Sequence, residues 1–121
     1  MKGILPNICL LLFSSLLVSA DNQAENILHH QRDNGGWPKN YHRDKEPNKI
    51  AKTVLLALKK RNDPTFDNGA THTEVRYLAK AFLKTGETRY REAALKGIEF
   101  MLSAQYANGG WPQTHPKPSG Y

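Results

Sequence analysis

An octapeptide that occurs twice constrains this chain of 121 residues more than any other feature. Residues 31–38 read QRDNGGWP and residues 105–112 read QYANGGWP, so the copies differ only at their second and third positions. Each copy follows a leucine by three residues (Leu28 and Leu102). Asn-Gly tolerates the positive φ that ends a helix, and the proline prevents the helix from resuming. The repeat therefore predicts a helix stop that is used twice in a repeated architecture.

Between and around the two copies, apolar residues recur at helical spacing. We predict one helix over 48–60, a second that opens at the capping-box pattern Thr71–Glu74 and ends at Thr85-Gly86, and a third that begins at Thr88. No segment alternates apolar and polar residues long enough to make a convincing strand. The predicted fold class is all-α. The apolar stripes of the second and third helices are Val75, Leu78 and Phe82, and Tyr90, Ala94, Gly97 and Met101.

The first twenty residues have the pattern of a secretory signal peptide. Lys2 supplies a positive start, residues 8–17 form an apolar run interrupted by two serines, and Val18-Ser19-Ala20 supplies the small residues that precede cleavage. The run is too short to anchor the chain stably across a bilayer. We therefore expect cleavage after Ala20, a secreted or periplasmic mature chain of residues 21–121, and no membrane contact afterwards.

Charge and cysteine content then limit the partners of the mature chain. Cleavage would remove Cys9, the single cysteine, so no disulfide could form, and loss of Lys2 would lower the formal net charge of +6 by one. A positive exported protein suits a polyanion such as nucleic acid, anionic lipid or acidic polysaccharide. The lysines are dispersed rather than clustered with aromatic residues, which argues against nucleic acid.

Three segments together resemble polysaccharide lyase family 10, the pectate lyases built on an incomplete (α/α) toroid. They are residues 31–40 (QRDNGGWPKN), 65–78 (TFDNGATHTEVRYL) and 97–113 (GIEFMLSAQYANGGWPQ). The DNGAT element at 67–71 is specific to the family, whereas related Q…G…W repeats occur in other α/α toroids such as terpene cyclases. The resemblance implies that residues 21–121 are the N-terminal part of a truncated, monomeric toroid domain, with only its first few helices.

The family cleaves de-esterified homogalacturonan by calcium-dependent β-elimination, so the resemblance implies Ca²⁺ as cofactor and polygalacturonate as partner. In this reaction a base removes the proton at C5, and neutralising the uronate carboxylate makes that proton easier to remove. Asp67 and Asn68 are implied as calcium ligands. The family's arginine base and its second calcium carboxylate are expected beyond Tyr121 and have no counterpart here. We therefore assign no catalytic residue in this chain and expect it to be inactive alone.

The loop residues that follow each tryptophan are candidate substrate contacts. Trp37 and Trp111 could stack on sugar rings if their loops gather on one face of a toroid, or each could pack over its own helix end. Lys39 and Asn40, after the first tryptophan, and Gln113, after the second, could meet a uronate carboxylate. The alternative for these three residues is a solvated loop.

Several alternatives stay open at this point. Asn68-Gly69 also makes a good turn, and a carboxylate such as Asp67 is favoured just before a helix start, so neither residue has to bind calcium. The whole chain could be a non-catalytic galacturonan-binding fragment. It could also belong to another α/α-toroid enzyme such as a terpene cyclase, although secretion, positive charge and the absence of an acid-rich Asp-Asp motif argue against that class.

Overall fold

The computed structural model describes residues 21–44 and 50–119. Within these residues the chain contains no β-strand, and Thr65 and Thr114 form only an isolated bridge. The predicted all-α class is confirmed. The helices are α1 (Asn22–His30), α2 (Lys52–Lys59), α3 (His72–Thr85) and α4 (Thr88–Ala104), with a 3-10 turn at Asp67–Gly69.

Two predictions from the sequence fall outside this part of the chain. The predicted signal peptide, residues 1–20, lies outside the described residues. Tyr121, beyond which the resemblance places the arginine base and the second calcium carboxylate, also lies outside them. Both the cleavage after Ala20 and the position of the base therefore stay predictions.

The sequence located α3 and α4 more closely than α2. Helix α4 begins at Thr88 as predicted, and α3 ends where Gly86 adopts a φ of 71°. Helix α2 begins at Lys52, later than predicted, and the predicted start lies outside the described residues. The predicted capping box is wrong, because Thr71 makes no side-chain cap and the side chain of Glu74 is buried in the protein.

Helices α3 and α4 form a hairpin, and α1 packs against both. Burial of their apolar faces removes hydrocarbon surface from water, which is the main force that holds the three helices together. None of the described helices has the length and apolar character needed to cross a membrane. The buried core consists of Ala24, Ile27, Trp37, Leu78, Ala81, Tyr90, Ala93 and Ala94.

Trp37 lies at the centre of this core, with no exposed surface. Its indole Nε1 donates a hydrogen bond to the Ile27 carbonyl at 2.8 Å. Gly97 of α4 allows the close approach, since a Cβ there would lie 2.8 Å from the Trp37 ring and 2.5 Å from Val75 Cγ2. Burial of a tryptophan with its N–H satisfied fixes the first repeat loop against α4.

The two copies of the repeat fold into the same loop. In the first, Gln31 Nε2 donates to the Gly35 carbonyl at 3.0 Å, and Gly35 has a φ of 97°. In the second, Gln105 Nε2 donates to the Gly109 carbonyl at 2.9 Å, and Gly109 has a φ of 88°. The sequence therefore encodes one helix-ending loop twice, as the repeat predicted.

The surroundings of the two repeat loops differ. Gln31 makes a second hydrogen bond, to the Ala93 carbonyl of α4 at 2.9 Å, and α4 also covers Trp37. Trp111 donates to the Met101 carbonyl at 2.8 Å, as Trp37 does to its own helix, but 44% of its surface is exposed. The first loop is thus part of the core, and the second lies on the surface of the described residues.

Candidate functional site

Three segments distant in sequence meet around the carboxylate of Asp67. Lys39 Nζ lies 2.5 Å from Asp67 Oδ2, and Gln113 Nε2 donates to the same oxygen at 3.0 Å. Asn68 Nδ2 donates to Asn40 Oδ1 at 3.3 Å. Five of the seven residues selected from the sequence therefore form one cluster, which we call the Asp67 cluster: Lys39, Asn40, Asp67, Asn68 and Gln113.

Local turn geometry presents the Asp67 side chain. Asp67 Oδ1 accepts a hydrogen bond from the backbone N–H of Asn68 at 2.9 Å, which is typical of an aspartate that begins a turn. Asn68 and Gly69 then adopt φ values of 51° and 74°. Asparagine and glycine tolerate this left-handed region better than other residues. The Asp-Asn-Gly sequence thus folds into a tight turn that turns its polar side chains outward.

A buried hydroxyl group joins this turn to the segment that carries Lys39. Thr71 has no exposed surface. Its Oγ1 accepts a hydrogen bond from the backbone N–H of Trp37 at 3.1 Å and donates one to the Thr65 carbonyl at 2.9 Å. Its φ of 70° and ψ of −63°, with His72 N–H donating to the Ala70 carbonyl at 2.9 Å, make a γ-turn of the rare strained kind. Strain of this kind persists only where the surrounding contacts hold it.

A second hydroxyl group, that of Thr65, brings in the segment after Trp111. Thr65 Oγ1 donates to the Gln113 carbonyl at 2.6 Å and accepts from the Asp67 N–H at 3.0 Å. The Phe66 N–H also donates to the Gln113 carbonyl, at 2.8 Å. Sequence reasoning missed both threonines as positioning groups. The one available signal was the place of Thr71 in the DNGAT element, which we interpreted as a helix cap.

The segment that follows Lys39 and Asn40 is anchored to α3 by a buried carboxylate. Glu74 has no exposed surface; its Oε1 accepts from the Tyr41 hydroxyl at 2.9 Å and from the Arg43 guanidinium. Burial, together with the charge of Glu74 and the hydrogen bond to it, raises the pKa of Tyr41 far above its usual range. The tyrosine hydroxyl therefore stays protonated and keeps donating to the carboxylate.

Among the described residues, neither tryptophan forms a side-chain hydrogen bond with the Asp67 cluster: the indole of Trp37 donates to Ile27 and that of Trp111 to Met101. The assignment of Trp37 as a substrate contact is wrong, because a ring without exposed surface cannot stack on a sugar. The alternative interpretation, packing over the end of its own helix, describes its position. Trp111 presents nearly half of its surface and stands two residues before Gln113.

Three rings in contact support the segment after Trp111. Phe66 and Phe100 stack with ring centroids 5.6 Å apart, and His115 meets Phe100 edge-on at 5.5 Å. Offset and edge-on contacts of this kind stabilise aromatic pairs beyond their buried area. They hold the chain after Gln113 against α4.

Comparison with known proteins identifies the family. Residues 31–121 match the family described as pectic acid lyase. The chain belongs to the pectic acid lyase family. This match, together with the family 10 structures described next, confirms the resemblance to polysaccharide lyase family 10 and the toroid fold class that it implies. It does not favour the alternative of another α/α-toroid enzyme.

Two solved structures of a family 10 polysaccharide lyase from Cellvibrio cellulosa are similar to this chain. The unmodified lyase is 35% identical with a TM-score of 0.63, and a mutant in complex with trigalacturonic acid is 34% identical with the same TM-score. Each comparison covers 82% of this chain, which spans 28% of the length of the solved chains. No curated protein matches the chain.

The oxygen atoms of the Asp67 cluster fit part of a site for calcium, the cofactor that the resemblance implies. Calcium prefers six to eight hard oxygen ligands, and the cluster carries one carboxylate and the amide oxygens of Asn40 and Asn68. The amide oxygen of Gln113 already accepts a hydrogen bond from Ser119 Oγ at 2.9 Å. The described residues contain no group of three or more His, Cys, Asp or Glu side chains that could hold a metal ion. The hydrogen bonds from Lys39 and then Gln113 hold the pKa of Asp67 below its usual range, so its carboxylate is ionised at neutral pH.

The arginines of the described residues pair with other side chains or are exposed. Arg89 pairs with Glu25 of α1, and Arg43 pairs with Glu74. Arg76 and Arg91 are exposed on α3 and α4. Within 21–44 and 50–119, no arginine forms a hydrogen bond or ion pair with the Asp67 cluster. We therefore assign none of them as a catalytic base, and a base beyond Tyr121 stays a prediction.

Proposed function

We propose that this chain supplies part of the calcium and substrate site of a pectate lyase, which cleaves de-esterified homogalacturonan by β-elimination. The observation that carries the proposal is the Asp67 cluster, in which an acid, a lysine and three amide side chains from three segments converge. Family membership and a relative solved with trigalacturonic acid support the same substrate class.

In this proposal Asp67 and Asn68 hold calcium. When bound, the ion would neutralise a uronate carboxylate and so make the C5 proton easier to remove. Lys39 offers a charge-assisted hydrogen bond to a carboxylate, and the amides of Asn40 and Gln113 orient the sugar. Trp111 has the exposed face that stacking on a sugar ring requires.

A second candidate function is binding of galacturonan without cleavage. It is favoured by the absence, among the described residues, of an arginine that contacts the Asp67 cluster. Elimination needs a base as well as charge neutralisation, so a chain that supplies only the second would bind and not cleave. The two functions differ in one observable, the ultraviolet absorbance of the unsaturated product.

The experiment that tests the proposal compares Asp67→Ala with Asp33→Ala, which removes an exposed carboxylate outside the cluster. We expect Asp67→Ala to abolish calcium-dependent binding of trigalacturonic acid, measured by isothermal titration calorimetry, while Asp33→Ala binds as the unmodified chain does. Helical circular dichroism and melting temperature should change little in either variant, because the Asp67 turn is at the surface.

A helix-start role for Asp67 predicts a different result. Loss of a capping residue costs about 0.5–2 kcal/mol of stability. If Asp67→Ala melts early and yet binds trigalacturonic acid normally when folded, the proposal is wrong at its most important residue. Asn68→Gly serves as a milder test, because it removes a neutral ligand while glycine tolerates the φ of 51° at this position, and excess calcium should partly restore binding.

A further inference from the structure

The carboxylate of Asp67 is nearly saturated by donors from this chain. Its two oxygens offer about four lone-pair positions. Lys39 Nζ and Gln113 Nε2 lie 2.5 Å and 3.0 Å from Oδ2, and the Asn68 N–H lies 2.9 Å from Oδ1. A cation that binds through both carboxylate oxygens must therefore displace a donor from Oδ2.

Lys39 is the donor that is free to leave. Its side chain is 42% exposed, and the Asp67 contact is its one polar contact within the described residues. Gln113 is held at both ends, since Ser119 Oγ donates to its Oε1 at 2.9 Å and the Thr65 hydroxyl donates to its carbonyl at 2.6 Å. The lysine can swing away on its flexible stem while the amides keep their places.

We propose that Lys39 is an internal competitor for calcium at Asp67, and that the ammonium group displaced by calcium binds a carboxylate of the acidic polysaccharide. This inference rests on the proposed function. An ammonium group and a divalent cation repel each other and cannot share Asp67 Oδ2. A uronate that draws Lys39 away would in turn clear Asp67 for calcium. Because each ligand relieves the competition that the other meets, their binding is positively coupled.

The competition is tested with Lys39→Met, which removes the charge and keeps most of the stem. The matched control is Lys80→Met, which removes the same charge from an exposed position on α3. Binding of calcium chloride and of trigalacturonic acid to the full chain would be measured separately by isothermal titration calorimetry at low ionic strength. Far-UV circular dichroism would check the fold of each variant.

We expect the two ligands to respond in opposite directions. In Lys39→Met the calcium Kd should fall about fivefold, which is the upper range of the effect of an exposed ion pair. The Kd of trigalacturonic acid, measured without calcium, should rise by a similar factor. Lys80→Met should change either value less than about twofold, as expected for a distant surface charge. A loss of folding would weaken both ligands together, so it could not imitate this result.

Calcium binding by Lys39→Met that is no tighter than that by Lys80→Met would overturn the competition. Asp67→Asn separates this outcome from failure of the proposed function. If Asp67→Asn loses calcium while Lys39→Met gains nothing, only the competition is wrong. If Asp67→Asn keeps its calcium affinity, or if no variant binds calcium, the calcium role proposed for Asp67 is wrong as well.

Discussion

The repeat offers a matched pair of substitutions that measures how strongly α4 holds the first loop. Gly35 and Gly109 occupy the same position in the two copies, with φ values of 97° and 88°. Alanine is strained at both, by about 1–2 kcal/mol for a side chain in the left-handed region. A Cβ at Gly35 would lie 2.5 Å from the backbone oxygen of Lys96 in α4, whereas at Gly109 the nearest atom is 4.0 Å away.

The difference between the two variants therefore isolates one packing contact. Forcing a methyl group into a packed site costs about 1–3 kcal/mol, and a backbone oxygen cannot rotate away as a side chain can. The smaller entropy of the unfolded alanine chain affects both variants alike and cancels in the comparison. We expect Gly35→Ala to lower the free energy of unfolding by about 1–3 kcal/mol more than Gly109→Ala does.

Urea denaturation followed by circular dichroism at 222 nm measures this difference. With an unchanged m-value, it appears as a lower urea midpoint for Gly35→Ala than for Gly109→Ala. Equal midpoints for the two variants would refute the reasoning, because backbone strain alone would then account for both losses. A larger loss in Gly109→Ala would mean that the second loop, and not the first, is the one held by packing.

Two further predictions concern buried hydroxyl groups. Thr71→Val should lower the free energy of unfolding by about 1–3 kcal/mol, because the backbone N–H of Trp37 loses its hydrogen-bond partner. Thr71→Ser keeps the hydroxyl group and should retain most of the stability. Equal losses for the two variants in urea denaturation would contradict this role of the hydroxyl group. Burial, with the hydrogen bond to Glu25, raises the pKa of Tyr90 from 10.0 to about 12. The contribution of protonated Tyr90 to the free energy of unfolding is therefore complete below pH 10 and is lost as the pH rises through 12. Tyr90→Phe should therefore flatten the fall of stability over that interval, measured by urea midpoints at each pH, and an unchanged slope would argue against it.

Much of the candidate site was predictable because it is written in short sequence elements. Asp67 and Asn68 were selected from DNGAT, and Lys39, Asn40 and Gln113 from the residues that follow each tryptophan; the structure brings all five together. The hydroxyl network beneath them was not predictable. A threonine three residues before a glutamate has the local pattern of a helix cap, and its diversion to the Trp37 N–H depends on a partner more than thirty residues away.

Trp37 and Trp111 show where prediction from a local pattern ends. The same octapeptide gives the same loop and the same bond from the indole to its own helix, so the motif decides loop conformation. It does not decide burial. Trp37 is buried because α4 brings Gly97 to its ring, and a side chain there would collide with it. The role of each tryptophan therefore follows from the helix packed against its loop, and the exposed face of Trp111 alone remains open to a sugar.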